Sequence, residues 1–331
     1  MTKRLKTILQ YCLFLGLGIF LIWWSLKDLT ASDRQEITQS LQKGNYGYIF
    51  PGLTVLILSH WVRALRWRLL MEPMGYTPSR ATTFFAVMVG YLANQAVPRL
   101  GEVLRCSTLT RYEKIPFDKL LGTVILERMV DAISLLILLG LAMISQPHLY
   151  DSIIQTFFAG SAEKQESGSI LWYFIGGLIV LLIVGGIWMR MTKRSLKDLL
   201  NATKKIGLHV WQGFITIKNL KRPWTFVLLT IALWSLYTLC VYTGFLMLQE
   251  TSGFGWKEAI TVLCAGSLGM IATPGGIGAY AFLVQKTMLL YQLNNGMGLA
   301  LGWILWFLQT GAVLIFGALS LIALPIYNKN K

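Results

Sequence analysis

Polar and charged positions in this chain are gathered into short islands between long apolar runs. The runs cover residues 7–26, 46–65, 120–144, 170–189, 224–248 and 297–326. Each is near or above the ~20 residues an α-helix needs to cross a bilayer core, which predicts an all-α polytopic membrane protein with six transmembrane helices. Two further apolar stretches are interrupted at mid-length. One contains Asn94-Gln95-Ala96-Val97-Pro98-Arg99-Leu100-Gly101-Glu102, the other Ala272-Thr273-Pro274-Gly275-Gly276-Ile277-Gly278. Backbone groups freed by such turns find no water in hydrocarbon, so a continuous lipid-facing helix does not tolerate them. The pattern therefore predicts two re-entrant broken-helix hairpins, about 81–112 and 259–286, buried in protein or lining a polar cavity.

Composition agrees with this class: 331 residues are 55% hydrophobic and only 14% charged, far from the profile of a soluble domain. The net charge of +15 does not require a nucleic-acid partner, because Lys and Arg accumulate on the cytoplasmic side of membrane proteins. With the N-terminus inside and both hairpins returning to the side they entered from, 23 basic residues fall on the cytoplasmic side and six outside, with Arg128 inside a span. That bias predicts a multi-pass membrane protein with both termini cytoplasmic. Lys3, Arg4 and Lys6 precede the first run, which ends in Trp23-Trp24-Ser25-Leu26-Lys27 without a small-residue cleavage pattern, so it reads as a retained helix. Cys12, Cys106, Cys240 and Cys264 are scattered within or beside apolar segments and read as small buried hydrophobes.

The expected organisation is a single integral membrane domain, 1–331, whose second half (168–327) repeats the plan of the first (1–145) upside down. Such inverted repeats with paired broken helices are a recurring transporter plan, with the site near the midplane. Residues 193–222 mix Lys with Leu, Ile, Val and Trp. They read either as an amphipathic helix on the cytoplasmic leaflet or as an ordinary basic loop. The polar loop after the first span, with Asp28, Asp33 and Glu36, and residues 146–168 read as connectors.

Ionisable residues at membrane depth carry most of the functional information. The first hairpin supplies Asn94, Arg99, Glu102 and Arg105, the last three spaced i, i+3 and i+6, roughly on one helical face. The third span supplies Glu127, Arg128 and Asp131, where Arg128 and Asp131 can pair at i, i+3. Arg99, Arg105 and Arg128 balance Glu102, Glu127 and Asp131. These residues read either as a structural ion-pair network or as a network that also presents a guanidinium to a ligand. Arg63 and Arg66, near the cytoplasmic end of the second span, either anchor that end or face the cavity and give it surplus positive charge. Both hairpins restart a helix after Pro98 and Pro274, and helix N-termini favour phosphate and carboxylate. Gly275 and Gly276 would let a ligand approach the backbone closely. His60, His148 and His209 are isolated, no metal-ligand spacing appears, and no catalytic triad is evident.

The run Asn94…Pro98-Arg99-x-Gly101-Glu102-x-x-Arg105, then Glu127-Arg128-x-x-Asp131, then Pro274-Gly275-Gly276-x-Gly278, resembles the lysylphosphatidylglycerol synthase transmembrane-region family of flippase-like membrane proteins. The resemblance covers nearly the whole chain. Family members often carry an acid shortly after the glycine turn, where this sequence has Ala279 and Tyr280. The resemblance implies a translocator that moves a phospholipid or other phosphate-linked lipid between leaflets, needs no cofactor and has membrane lipids as partners. Only five residues follow Ile326, so no soluble synthase domain is expected here. Two alternatives stay open. One is a transferase acting on a polyprenyl-phosphate lipid, with Asp28, Asp33 or Glu36 as its acid. The other is an accessory subunit beside a lipid-modifying enzyme, and a homo-oligomer is a further expectation.

Overall fold

The computed structural model describes residues 16–27, 29–97, 99–146 and 220–329. The chain divides into two compact units, Met1–Ser145 with Asn219–Lys331, and Gln146–Lys218; the described helices all belong to the first. The expected span 170–189, most of the basic stretch 193–222, Asp28 and Cys12 lie outside the described residues.

Among the described residues there are α-helices and short 3-10 turns and no strand. In chain order the helices are α1 (Gly16–Lys27), α2 (Ala31–Lys43), α3 (Ile49–Met71), α4 (Arg80–Ala96), α5 (Leu100–Glu113), α6 (Phe117–Ser145), α7 (Pro223–Phe245), α8 (Trp256–Ala272), α9 (Ala279–Leu289) and α10 (Asn295–Tyr327). Three are long and apolar enough to cross a membrane, namely Tyr46–Met74 (the segment containing α3), α7 and α10. The fold is that of a helical membrane protein, and its hydrocarbon-rich exterior, including Phe50, Ile144, Trp224 and Ile271, is as exposed as that class requires.

The polar loop after the first span differs from the expected connector. Residues 31–43 form α2, started by Thr30, whose hydroxyl accepts from the Asp33 backbone N–H while the Asp33 carboxylate accepts from the Thr30 N–H at 2.8 Å. Both capping groups of the box are in place, which is why so polar a segment becomes helical. Glu36 accepts from Asn294 at 2.6 Å, and Ser40 bonds Glu250. These contacts tie α2 to the loops flanking α8 and α9.

The two interrupted stretches are helix–turn–helix hairpins. In the first, α4 stops at Val97, which takes the extended conformation (φ −138°, ψ 112°) that a residue before proline prefers. Arg99 then adopts φ 68°, and α5 starts at Leu100. The Asn94 side chain accepts from the Gly101 N–H at 2.8 Å, satisfying one of the donors a helix start leaves free. Gly90 and Gly101 let α4 and α5 touch backbone to backbone: a Cβ at Gly90 would sit 2.9 Å from the Gly101 carbonyl oxygen. In the second hairpin α8 ends at extended Thr273, and Gly275, Gly276 and Gly278 all have positive φ before α9 begins. Gly269 brings α8 against the backbone of Tyr280, and Gly302 of α10 packs against Ala281 at similar range. Small residues at these crossings are how helices approach closely without water to drive them together. Each hairpin stands in sequence between two long helices: α3 and α6 flank the first, α7 and α10 the second. Cys106, Cys240 and Cys264 are free and buried.

Candidate functional site

Helix α3 places Arg63, Arg66 and Trp67 on one face, by their i, i+3, i+4 spacing. Helix α6 places Glu127 and Asp131 one turn apart. The two faces meet, and Arg63 is bound through Nη1 to both Glu127 Oε1 (2.8 Å) and Asp131 Oδ2 (2.7 Å). Arg66 Nη2 reaches Asp131 Oδ1 at 2.6 Å and Glu127 Oε1 at 3.5 Å. Arg105 of α5 enters from the first hairpin, with Nη1 2.9 Å from Glu127 Oε2. Glu127 is fully buried and is shared by three guanidinium groups. Helix α7 contributes outer partners: Arg63 Nε donates to the Tyr237 hydroxyl at 3.2 Å, and Arg66 Nη1 to the Thr230 hydroxyl at 3.5 Å.

This corrects two expectations. Arg128 does not pair with Asp131; its Nε lies 3.2 Å from Glu102 Oε1 at a partly exposed rim, 41% and 29% accessible. Asp131 is taken instead by the two arginines of α3, because its i, i+4 spacing sets it beside Glu127 on the face that meets α3. Arg99 does not share the buried face of Arg105. It sits exposed at the tip of the first hairpin in the left-handed conformation, ahead of the helix whose periodicity would have aligned it. Arg63 and Arg66 take its place in the network, 5% and 0% exposed. Four arginines (63, 66, 105, 128) therefore face three acids (102, 127, 131), and the cluster carries a surplus charge of +1 rather than the balance expected.

A small, partly open cavity of some 10 Å³, room for about one water, lies beside this network. It is lined by Val87, Gly90, Tyr91, Asn94, Gly101, Glu102, Arg105 and Arg128. Its walls are thus the first hairpin and the rim of α6. Arg105 is 4% exposed, and its Nε and Nη2 have no hydrogen-bond partner. An unpaired buried guanidinium edge is costly, so a site of this kind favours an oxyanion. His60, one turn before Arg63, is buried against the Tyr91 ring at 4.9 Å with both ring nitrogens unpartnered.

Gly275 and Gly276 are differently placed from what a ligand-facing backbone needs. The Gln95 side chain packs directly on Gly275, whose carbonyl accepts from Trp306 Nε1 at 2.8 Å. Met270 covers Gly276. The tight turn brings the tip of the second hairpin against that of the first, and protein atoms fill the space its missing side chains leave. Just after this turn Tyr280 is fully buried, with its ring against Gly266 and its hydroxyl 3.5 Å from Gln309 Nε2. Sequence reasoning missed Trp67, Tyr91 and Tyr237. Trp67 had a usable signal, since it shares the face of Arg63; Tyr237 lies on a distant helix and had none. Among the described residues no group of His, Cys, Asp and Glu is placed to hold a metal ion.

The family model describing the lysylphosphatidylglycerol synthase transmembrane region matches residues 11–317. A curated relative, the UPF0104 membrane protein MJ1595 of Methanocaldococcus jannaschii, is 27% identical over 99 residues, which is 29% of this chain and 30% of that protein. The chain thus covers less than a third of that relative's length. No solved structure matches.

Proposed function

The chain belongs to the lysylphosphatidylglycerol synthase transmembrane-region family, and from that premise we propose that it is a lipid translocator, moving a phospholipid or other phosphate-linked lipid between leaflets of a bacterial inner membrane. The observation that carries this reading is Arg105, buried at the cavity wall with two N–H groups unpaired, in a cluster with one positive charge to spare. Arg105 engages the lipid phosphate, Glu102 and Arg128 form the rim, and Asn94 holds the tip of the hairpin in place. Glu127 and Asp131 orient the arginines, including Arg63 and Arg66. The cavity, at some 10 Å³, has room for about one water as it stands. Admitting a phosphate, and passing a headgroup, requires the hairpins to part where Gln95 meets Gly275. The protein does no covalent chemistry in this reading. Any lipid-modifying reaction belongs to a separate partner, and the termini face the cytoplasm.

The test is leaflet movement of fluorescent phospholipids in proteoliposomes. Arg105→Ala is expected to lower the rate at least tenfold, as loss of a charged hydrogen-bonding partner of ~1.5–3 kcal/mol implies. Equal rates for the two proteins would remove the assigned role. The transferase alternative gains nothing from Asp33 or Glu36, since the first caps its own helix and the second accepts from Asn294.

A further inference from the structure

Arg105 offers more than a charge. Its Nη1 is held by Glu127, while Nε and Nη2 are both without partners. These two nitrogens lie side by side on one edge of a guanidinium, the fork that meets two oxygens of one oxyanion. The opposite constraint comes from Trp67 of α3. Its ring is fully buried, and the Arg105 guanidinium carbon lies over it, 4.6 Å from the centroid. The indole is in turn locked, because its N–H donates to the Thr123 hydroxyl at 2.8 Å, and that hydroxyl donates to the Leu120 carbonyl at 2.7 Å. A ring beneath and a carboxylate at one edge leave the guanidinium a single free edge.

We infer that Trp67 is a positioning residue that, with Glu127, presents the Nε/Nη2 edge of Arg105 as a fork for one singly charged oxyanion. The inference rests on the reading of this cavity as a phosphate site and sharpens its selectivity. The cluster has one uncompensated positive charge. A phosphodiester neutralises it. A doubly charged phosphomonoester would leave a net negative charge beside buried Glu127 and Asp131 in a medium that screens poorly. A lysine at position 105 would keep the charge and lose the fork.

The experiment uses the full chain in nanodiscs, with ¹⁵N-arginine labelling to follow the Arg105 Nε–H signal, assigned by its loss in Arg105→Lys. Three probes are titrated: short-chain phosphatidylglycerol, short-chain phosphatidic acid and inorganic phosphate. At pH 8 the diester is expected to bind about tenfold more tightly than the monoester. The gap should close at pH 5, below the monoester's second ionisation near ~6. Trp67→Leu is expected to weaken diester binding about tenfold and to move the Arg105 signal by removing the ring current, whereas Trp67→Phe stays within about threefold. Should Trp67→Leu fail to fold, Thr123→Val, which frees the indole N–H, carries the expectation at about threefold. A folded Trp67→Leu or Thr123→Val protein with unchanged signal and affinity overturns the positioning role. Equal binding of monoester and diester at pH 8 overturns the charge selection. If inorganic phosphate moves the Arg105 signal and neither lipid does, the fork stands and the lipid reading falls. If none of the probes moves it, the fork falls.

Discussion

Replacing Glu127 by Gln should be the most damaging single change in the polar network, and more damaging than removing any one of its arginines. Glu127 is fully buried, accepts from Arg63 at 2.8 Å and Arg66 at 3.5 Å, and forms an ion pair with Arg105 at 2.9 Å. Gln is nearly isosteric, so the change is electrostatic: three buried guanidinium groups would face Asp131 alone. Breaking a buried ion pair by deleting one partner costs ~3–5 kcal/mol. Here the deletion raises the surplus charge from one to two, which places the expected loss at the upper end. Arg105→Met works the other way, because it brings the cluster to neutrality and leaves Glu127 two arginine partners; its cost should stay below ~2 kcal/mol. The double variant should be more stable than Glu127→Gln alone, because it returns the surplus to one. Unfolding free energies can be read from SDS titration in mixed micelles, followed by the fluorescence of the chain's 12 tryptophans. A cost for Arg105→Met equal to or above that of Glu127→Gln would refute the charge count on which the site reading rests.

Two other outcomes test the scaffold. Gly101→Ala should destabilise by ~1–3 kcal/mol, since a Cβ there would collide with the Gly90 backbone; the same substitution at Gly122, whose Cβ meets nothing within 4 Å, is the control and should be nearly silent in a thermal melt. The start of α2 should respond to acid. Hydrogen bonds from the Thr30 side chain, then its backbone, hold the Asp33 carboxyl below its ordinary 3.8. A group lowered on folding contributes stability that is fully present above its unfolded value and is lost as pH falls through the folded one. Protection of the first-turn amides of α2, taken relative to their intrinsic exchange at each pH, should therefore fall only below pH 3.8; a loss of protection at higher pH would mean the capping box is not formed.

The hairpin turns were legible because their causes are local. Pro98 pushes Val97 into extended backbone, and three positive-φ glycines are the cheapest way to reverse the chain after Thr273. Three of the six expected spans, now α3, α7 and α10, were legible for the same reason, since burying or lipid-facing a helix demands apolar side chains all round. Helix α2 was missed although its capping box is written in Thr30 and Asp33. Its polar composition resembled a loop, and its stability comes partly from Glu36 and Ser40 contacts with residues more than 200 positions away.

The ion-pair network shows where local reasoning stops. Spacing along α6 correctly set Glu127 and Asp131 on one face, yet it paired Arg128 with Asp131, because i, i+3 proximity was the only geometry a sequence offers. Three of the basic residues that seemed to mark the cytoplasmic side, Arg63, Arg66 and Arg105, are buried in the network instead. By itself the sequence determined the class of the protein, the two broken helices and the residue types available for a site, because backbone sterics and the hydrocarbon solvent act on each segment separately. Only the tertiary structure decided which guanidinium meets which carboxylate, that Arg99 stays outside, and that Trp67 lies beneath Arg105. Coulomb attraction and ring stacking depend on distances between helices far apart in the chain, and the one unpaired edge of Arg105 exists only after those contacts are made.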